Sequence, residues 1–246
     1  MNFDEIIREN DSKYDVYVGY DGRKTKKKIN IKDTPSTIIT GETGSGKSVL
    51  LDQILCQLIK NNTSLELELA LVDTGGVELN YYADTRYTRF SALGDKDEGV
   101  RVINKVVQEM DYRRKLVNDH GYVTVDEYNR KENNKIPNLV LAIDDNDSLL
   151  DEEDIDTALL SIIRGLEETN IFLLLATSNP YNKFFSRNKN TYASNLISLD
   201  LADSEQSALA NVSDADALPT GKFILNDKEY FMFNFDDNII FDILNK

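Results

Sequence analysis

The stretch Gly41-Glu42-Thr43-Gly44-Ser45-Gly46-Lys47-Ser48 fits the spacing G-x-x-x-x-G-K-[S/T] at every position. Its glycines let successive backbone N–H groups turn inward around a phosphate with no Cβ in the way. Lys47 offers a compact positive charge to the β- and γ-phosphates of a nucleotide, and the Ser48 hydroxyl is a ligand type for Mg²⁺. The helix that opens here, through Val49, would aim its positive N-terminal end at the same phosphates. Residues 41–49 are therefore expected to hold ATP, or a close relative, with magnesium. A glycine-rich surface turn is the plainer reading of such a pattern, but the flanks argue against it. The β-branched run Ser36–Thr40 precedes it, and Leu50, Leu51, Ile54, Leu55, Leu58 and Ile59 follow at helical spacing.

Hydrolysis at such a site needs a carboxylate at the end of a neighbouring strand to organise the water shell of magnesium. The apolar run Asn138–Ile143 ends in Asp144-Asp145 and supplies it. Asp144 is the expected magnesium partner, and Asp145 the expected base or water-positioning group. An acidic, solvated turn is the alternative for Asp145, because Asp147, Asp151, Glu152, Glu153 and Asp154 continue the charge.

The elements that must position these groups can be read from periodicity. Phe3–Glu9 suits a short helix, Val16-Tyr17-Val18 a strand, and Arg23–Lys28 a solvated hairpin tip. The alternation Leu65, Leu67, Leu69, Leu71 gives a strand ending at Asp73. Helical spacing covers roughly 100–118 and 154–169, and strands are expected at Ile171–Thr177 and Leu196–Leu201. The tail suggests a hairpin of Lys222–Leu225 and Glu229–Phe235, turning on Asn226-Asp227. Strands alternating with helices imply an α/β fold, a mostly parallel sheet with helices on both faces. The 246 residues suit one such domain, at 35–246, preceded by an arm and leading β segment at 1–34.

No apolar run approaches a membrane span; the longest is Ile171–Ala176. Met1–Asn10 is polar and acidic, unlike a secretory signal, so a cytoplasmic location is expected, with a membrane partner left open. Cys56 sits in an apolar helical pattern as a core thiol, and His120 has no Cys or His at ligand spacing.

At this point the order of segments resembles the FtsK/SpoIIIE family of DNA translocases, within the RecA-like/HerA group of P-loop ATPases. Leu71-Val-Asp73-Thr-Gly-Gly-Val-Glu78-Leu79 is similar to the family's Asp-Pro-Lys…Glu-Leu segment, without the Pro-Lys pair. Val106–Leu116, containing Glu109-Met110 and Arg113, is similar to its Glu-Met-x-x-Arg-Tyr helix, and Val125–Arg130 to the Gly-Tyr-Asn segment that follows. Leu173–Pro180 resembles the Leu-Ala-Thr-Gln-Arg-Pro strand end, and Pro219–Phe223 the turn before the last hairpin. The likeness runs over roughly 15–235. It implies a hexameric ring that hydrolyses ATP between subunits and threads double-stranded DNA. It also places Thr177 beside the nucleotide. Two departures stand out: the family's Asp-Glu pair is Asp144-Asp145 here, and its Gln-Arg is Ser178-Asn179. The shorter Asp145 implies slower hydrolysis. The chain's brevity suggests a stand-alone motor of a mobile element.

In the family the segment matching Pro180–Tyr192 is a pore loop. Here it is an aromatic and basic stretch without acidic residues, and Lys183, Arg187 and Lys189 are the candidates for DNA phosphate contacts. A solvated loop is the alternative, as it is for Arg130, Lys131 and Lys135 before Asn138. Arg113 is the candidate to reach a neighbouring subunit's ATP, with Arg86 and Arg89 as runners-up; an ordinary helix-surface arginine is the competing reading. A net charge of −15, from 28 basic and 43 acidic residues, argues against a surface that coats nucleic acid everywhere. It is compatible with basic residues confined to a pore. Three functions remain: a DNA translocase, a ring ATPase that moves protein as in type VII secretion, and a nucleotide-binding assembly module that no longer hydrolyses.

Overall fold

The strands of the central sheet are apolar on both faces, which only a layer of helices on each side can accommodate. In the computed structural model, which describes residues 1–145, 148–182, 184, 193–209 and 215–245 (backbone alone at 145, 148, 208 and 209), both layers are present. Side chains alternate between them with the period of two that a strand imposes. Along β4 (Leu67–Asp73), Leu67, Leu69 and Leu71 face one layer while Ala70 and Val72 face the other. β6 (Asn138–Asp145) divides likewise, Val140 and Ala142 against Leu139, Leu141 and Ile143. The first layer contains α1 (Phe3–Glu9) and α2 (Lys47–Asn61), and the second α3 (Lys96–Asp119) and α5 (Glu153–Thr169). Between α3 and α5 the packing is tight at Gly165, where a Cβ would lie 2.5 Å from Met110 Sδ.

The described residues form one ten-stranded sheet. Its parallel part runs β8 (Asn195–Ser198), β3 (Ser36–Thr40), β7 (Ile171–Thr177), β6, β4 and β5 (Thr88–Leu93). The tail hairpin, β9 (Lys222–Leu225) and β10 (Lys228–Phe231), then extends it antiparallel from β8. β1 (Asp15–Tyr20) and β2 (Lys26–Asn30) complete that edge, with Tyr20 opposite Phe231. Residues 1–34 therefore share the sheet and the core of the rest. Phe3 is fully buried, its N–H donates to the Asn234 carbonyl at 2.9 Å, and Asn234 N–H returns a bond to Met1. The hairpin turn occupies left-handed backbone at Asn226 and Asp227, as the Asn-Asp pair suggests.

β2, β5, α4 (Val125–Lys131), α6 (Ser204–Leu209) and α7 (Asn238–Leu244) had no counterpart in the periodicity. α4 begins with a reciprocal cap, Thr124 accepting from Glu127 N–H while the Glu127 carboxylate receives Thr124 N–H. Among the described residues, no helix is long and apolar enough to cross a membrane.

Candidate nucleotide-binding site

Register brings the ends of four strands together in two adjacent rows. Asp73 is opposite Asp144, Asp145 opposite Thr177, and Thr177 opposite Thr40, after which the chain enters Gly41. The C-terminal edge of a parallel sheet is where such folds bind ligands. There, residues 41–46 form the loop between β3 and α2, and Lys47 and Ser48 open the helix. Gly41 has no room for a side chain, since a Cβ would meet Ser45 Oγ at 2.6 Å and Leu199 Cβ at 2.9 Å. Gly46, at φ 104°, starts α2 from left-handed backbone that other residues rarely adopt, and it lies against Met232, just past β10.

Lys47 is 4% exposed, and its ammonium donates to the carbonyls of Gly41 and Glu42, each at 3.0 Å. One of its three hydrogens remains for a ligand. Burial lowers its pKa, while Asp144, Glu78 and Glu42 oppose the shift. Ser48 Oγ donates to Asp144 Oδ2 at 3.1 Å. Asp144 is fully buried, and its Oδ1 has no hydrogen-bond partner among the described residues. Burial pushes its carboxyl up to about 6, against the Ser48 bond and the Lys47 charge. A hydroxyl beside an unsatisfied, buried carboxylate is a hard-oxygen donor set that fits Mg²⁺. A cleft of about 350 Å³ opens beside them, lined by Thr43, Gly44, Gly46, Lys47, Ser48, Val49 and Glu78.

Thr177 is fully buried at its strand end. Its Oγ1 accepts from Asn179 N–H and from the Asn182 amide, at 3.2 and 3.3 Å, which fixes the turn leaving β7. Asp145 continues β6, and its side chain lies outside the described residues. So do Lys183, Arg187 and Lys189. Arg130 and Lys131, in the last turn of α4, and Lys135, between α4 and β6, are exposed at the opposite end of the strands from the cleft.

Arg113 requires a correction. It is fully buried, its Nε donates to Glu109 at 2.8 Å, and its Nη1 donates to the Thr169 carbonyl at 2.9 Å. These contacts lie at the start of β7, at the far end of the sheet from the phosphate loop. A guanidinium committed to its own core cannot reach a neighbour's nucleotide. Arg89 is also engaged, paired with Glu109 and Glu68 at 2.7 and 2.8 Å, and Arg86 stacks on Tyr87.

Sequence reasoning gave no role to several polar residues beside the cleft. Asp73 accepts the backbone N–H groups of Gly76, Glu78 and Leu79 at 2.9, 2.8 and 3.1 Å, and so anchors the short 3₁₀ turn Glu78–Tyr82. Inside that turn Tyr82 donates to Asp52 Oδ1 at 2.8 Å, and Cys56 Sγ lies 3.6 Å from the same hydroxyl. Asp52 is 7% exposed, one turn beyond Ser48 on α2, and burial pushes its carboxyl up to about 8. An aspartate within an otherwise apolar stripe was the available signal for it.

The FtsK/SpoIIIE family model matches residues 4–189. A curated relative, the DNA translocase FtsK of Caldanaerobacter subterraneus subsp. tengcongensis, is 28% identical over 59% of this chain and 21% of its own length. The DNA translocase SftA of Bacillus subtilis is 30% identical over 62% of this chain and 17% of its own. The chain thus spans about a fifth of the length of these relatives. Among solved structures, the pCW3 conjugation coupling protein TcpA, in a monomer form with ATPγS, superposes with a TM-score of 0.81 at 26% identity. That match covers 98% of this chain and 72% of TcpA. The cytoplasmic domain of the type VII secretion ATPase EccC of Thermomonospora curvata shares the fold, with a TM-score of 0.81 at 20% identity over 95% of this chain and 31% of its own. With the phosphate loop, the strand-end carboxylate and this match in hand, the chain belongs to the FtsK/SpoIIIE family.

Proposed function

We propose that this chain is an ATP-driven motor that moves double-stranded DNA, working as a homo-oligomeric ring. The observation that carries the proposal is the set Lys47, Ser48 and Asp144, gathered at one cleft by strand register inside an FtsK/SpoIIIE domain. Residues 41–49 take the phosphates, Ser48 and Asp144 take magnesium, and Asp145 orients the attacking water. Thr177 supports the nucleotide site from the next strand. Magnesium, where bound, neutralises charge on the phosphates; Lys47 and the loop amides position them. Likeness to DNA translocases and to a conjugation coupling protein supports DNA as the cargo. Lys183, Arg187 and Lys189 are proposed as its phosphate contacts.

The test is ATP turnover with and without duplex DNA. The wild-type chain should turn over ATP faster with DNA, and Lys47→Ala should bind ATP weakly or not at all. ATP affinity that survives Lys47→Ala would exclude this loop as the site. The net charge of −15 favours a second reading, a related ring ATPase that moves protein. Turnover indifferent to DNA would select it.

A further inference from the structure

The phosphate cleft contains one carboxylate that the family motifs leave without a task. Glu78 lines it together with Thr43, Lys47 and Ser48, and is only half-buried. Among the described residues its carboxylate makes no hydrogen bond and no ion pair. The backbone that carries it is fixed on several sides. Asp73 accepts Glu78 N–H, and Thr74 N–H donates to the Asp144 carbonyl at 3.2 Å, which ties this turn to the magnesium strand. Gly76 presses on Gly94, where a Cβ would come within 2.9 Å of the backbone, and Gly94 N–H donates to Asp73 at 2.8 Å. A turn anchored on Asp73, Asp144 and Gly94 therefore carries a negative charge at a site that Lys47 marks for phosphates.

Bare polyphosphate and a fixed carboxylate repel each other, and one lysine does not neutralise both. A divalent cation between them reverses the sign of the interaction. Asp144 Oδ1, buried and unpartnered behind the Ser48 wall of this cleft, is an independent sign of a cation there. We infer that Glu78 couples ATP binding to the divalent cation, opposing nucleotide alone and favouring nucleotide with magnesium through the cation's water shell. This rests on reading Gly41–Ser48 as the ATP phosphate site.

Calorimetric titration of ATPγS into the wild-type chain and Glu78→Gln, with Mg²⁺ or with EDTA, tests it. Glu78→Gln should bind ATPγS more tightly than wild type in EDTA. The gain in affinity on adding Mg²⁺ should shrink roughly ten-fold. Glu78→Ala removes the same charge and should give the same ratio, so the result does not depend on how one variant folds. An Mg²⁺ gain equal to wild type in both variants overturns the inference. So does unchanged binding with lost turnover, which would make Glu78 a base instead. A wild-type chain that binds no ATPγS removes the phosphate-site reading, and this one with it.

Discussion

Asp52 should make the stability of this chain fall as pH rises, and Asn in its place should abolish that loss. In the folded chain its carboxyl is pushed from 3.8 up to about 8, by burial first and then by Glu78, Asp237 and Asp144, against the bond from Tyr82. Between these values the folded state keeps a proton that the unfolded chain has released. The raised acid therefore favours folding least at high pH: its cost is absent below about 3.8, grows through the window, and levels off above about 8. Each pH unit in the window is worth up to ~1.4 kcal/mol, so the cost relative to a neutral side chain approaches ~4 kcal/mol near pH 7. Asn has the same shape, keeps an acceptor for the Tyr82 hydroxyl and has no proton to release. Asp52→Asn should thus gain on wild type steadily from pH 5 to 8, by about 10 °C in Tm near neutrality. Urea unfolding of both proteins without nucleotide or metal, at several pH values, measures the difference while other titrations cancel. Parallel stability curves for the two proteins across that range would refute the reasoning.

Arg113→Met should destabilise the fold by roughly 3 kcal/mol, seen as a lower urea midpoint, because it breaks a buried ion pair. Its ATP affinity should match wild type; a loss of turnover with unchanged stability would instead restore Arg113 to the active site. Changing Lys183, Arg187 and Lys189 together to Ala should weaken binding to all duplex sequences alike and flatten its salt dependence. An unaltered salt slope would exclude that loop as the contact.

The phosphate loop could be read because its chemistry is local: eight adjacent residues, flanked by a strand and a helix, carry the whole argument. Asp144 could be read because a continuous apolar run delivers it to a strand end. Arg113 misled because its spacing on α3 allows either an exposed or a buried face. Only the packing of Glu109 and the Thr169 carbonyl against it decides between them. β5 escaped notice because Thr88–Leu93 is a half-buried edge strand, its pattern blurred by Arg89. Glu78 reaches the cleft, and Asp52 its bond to Tyr82, through contacts between elements distant in sequence, and no spacing rule within either element assigns them a task.

The seam between the first and last strands bears on how the chain folds. The β1–β2 pair joins the rest of the sheet only through β10, which follows every other strand in the chain. Pairings of such long sequence separation form slowly. The parallel strands β3 to β8 can assemble first, leaving the outer side of β8 as an open edge until the hairpin closes on it. Closure also seats Met232 against Gly46, so the loop that receives phosphate is completed only when the termini dock. A nucleotide that binds the completed loop would hold that seam shut, protecting strands far from itself against exchange and proteolysis.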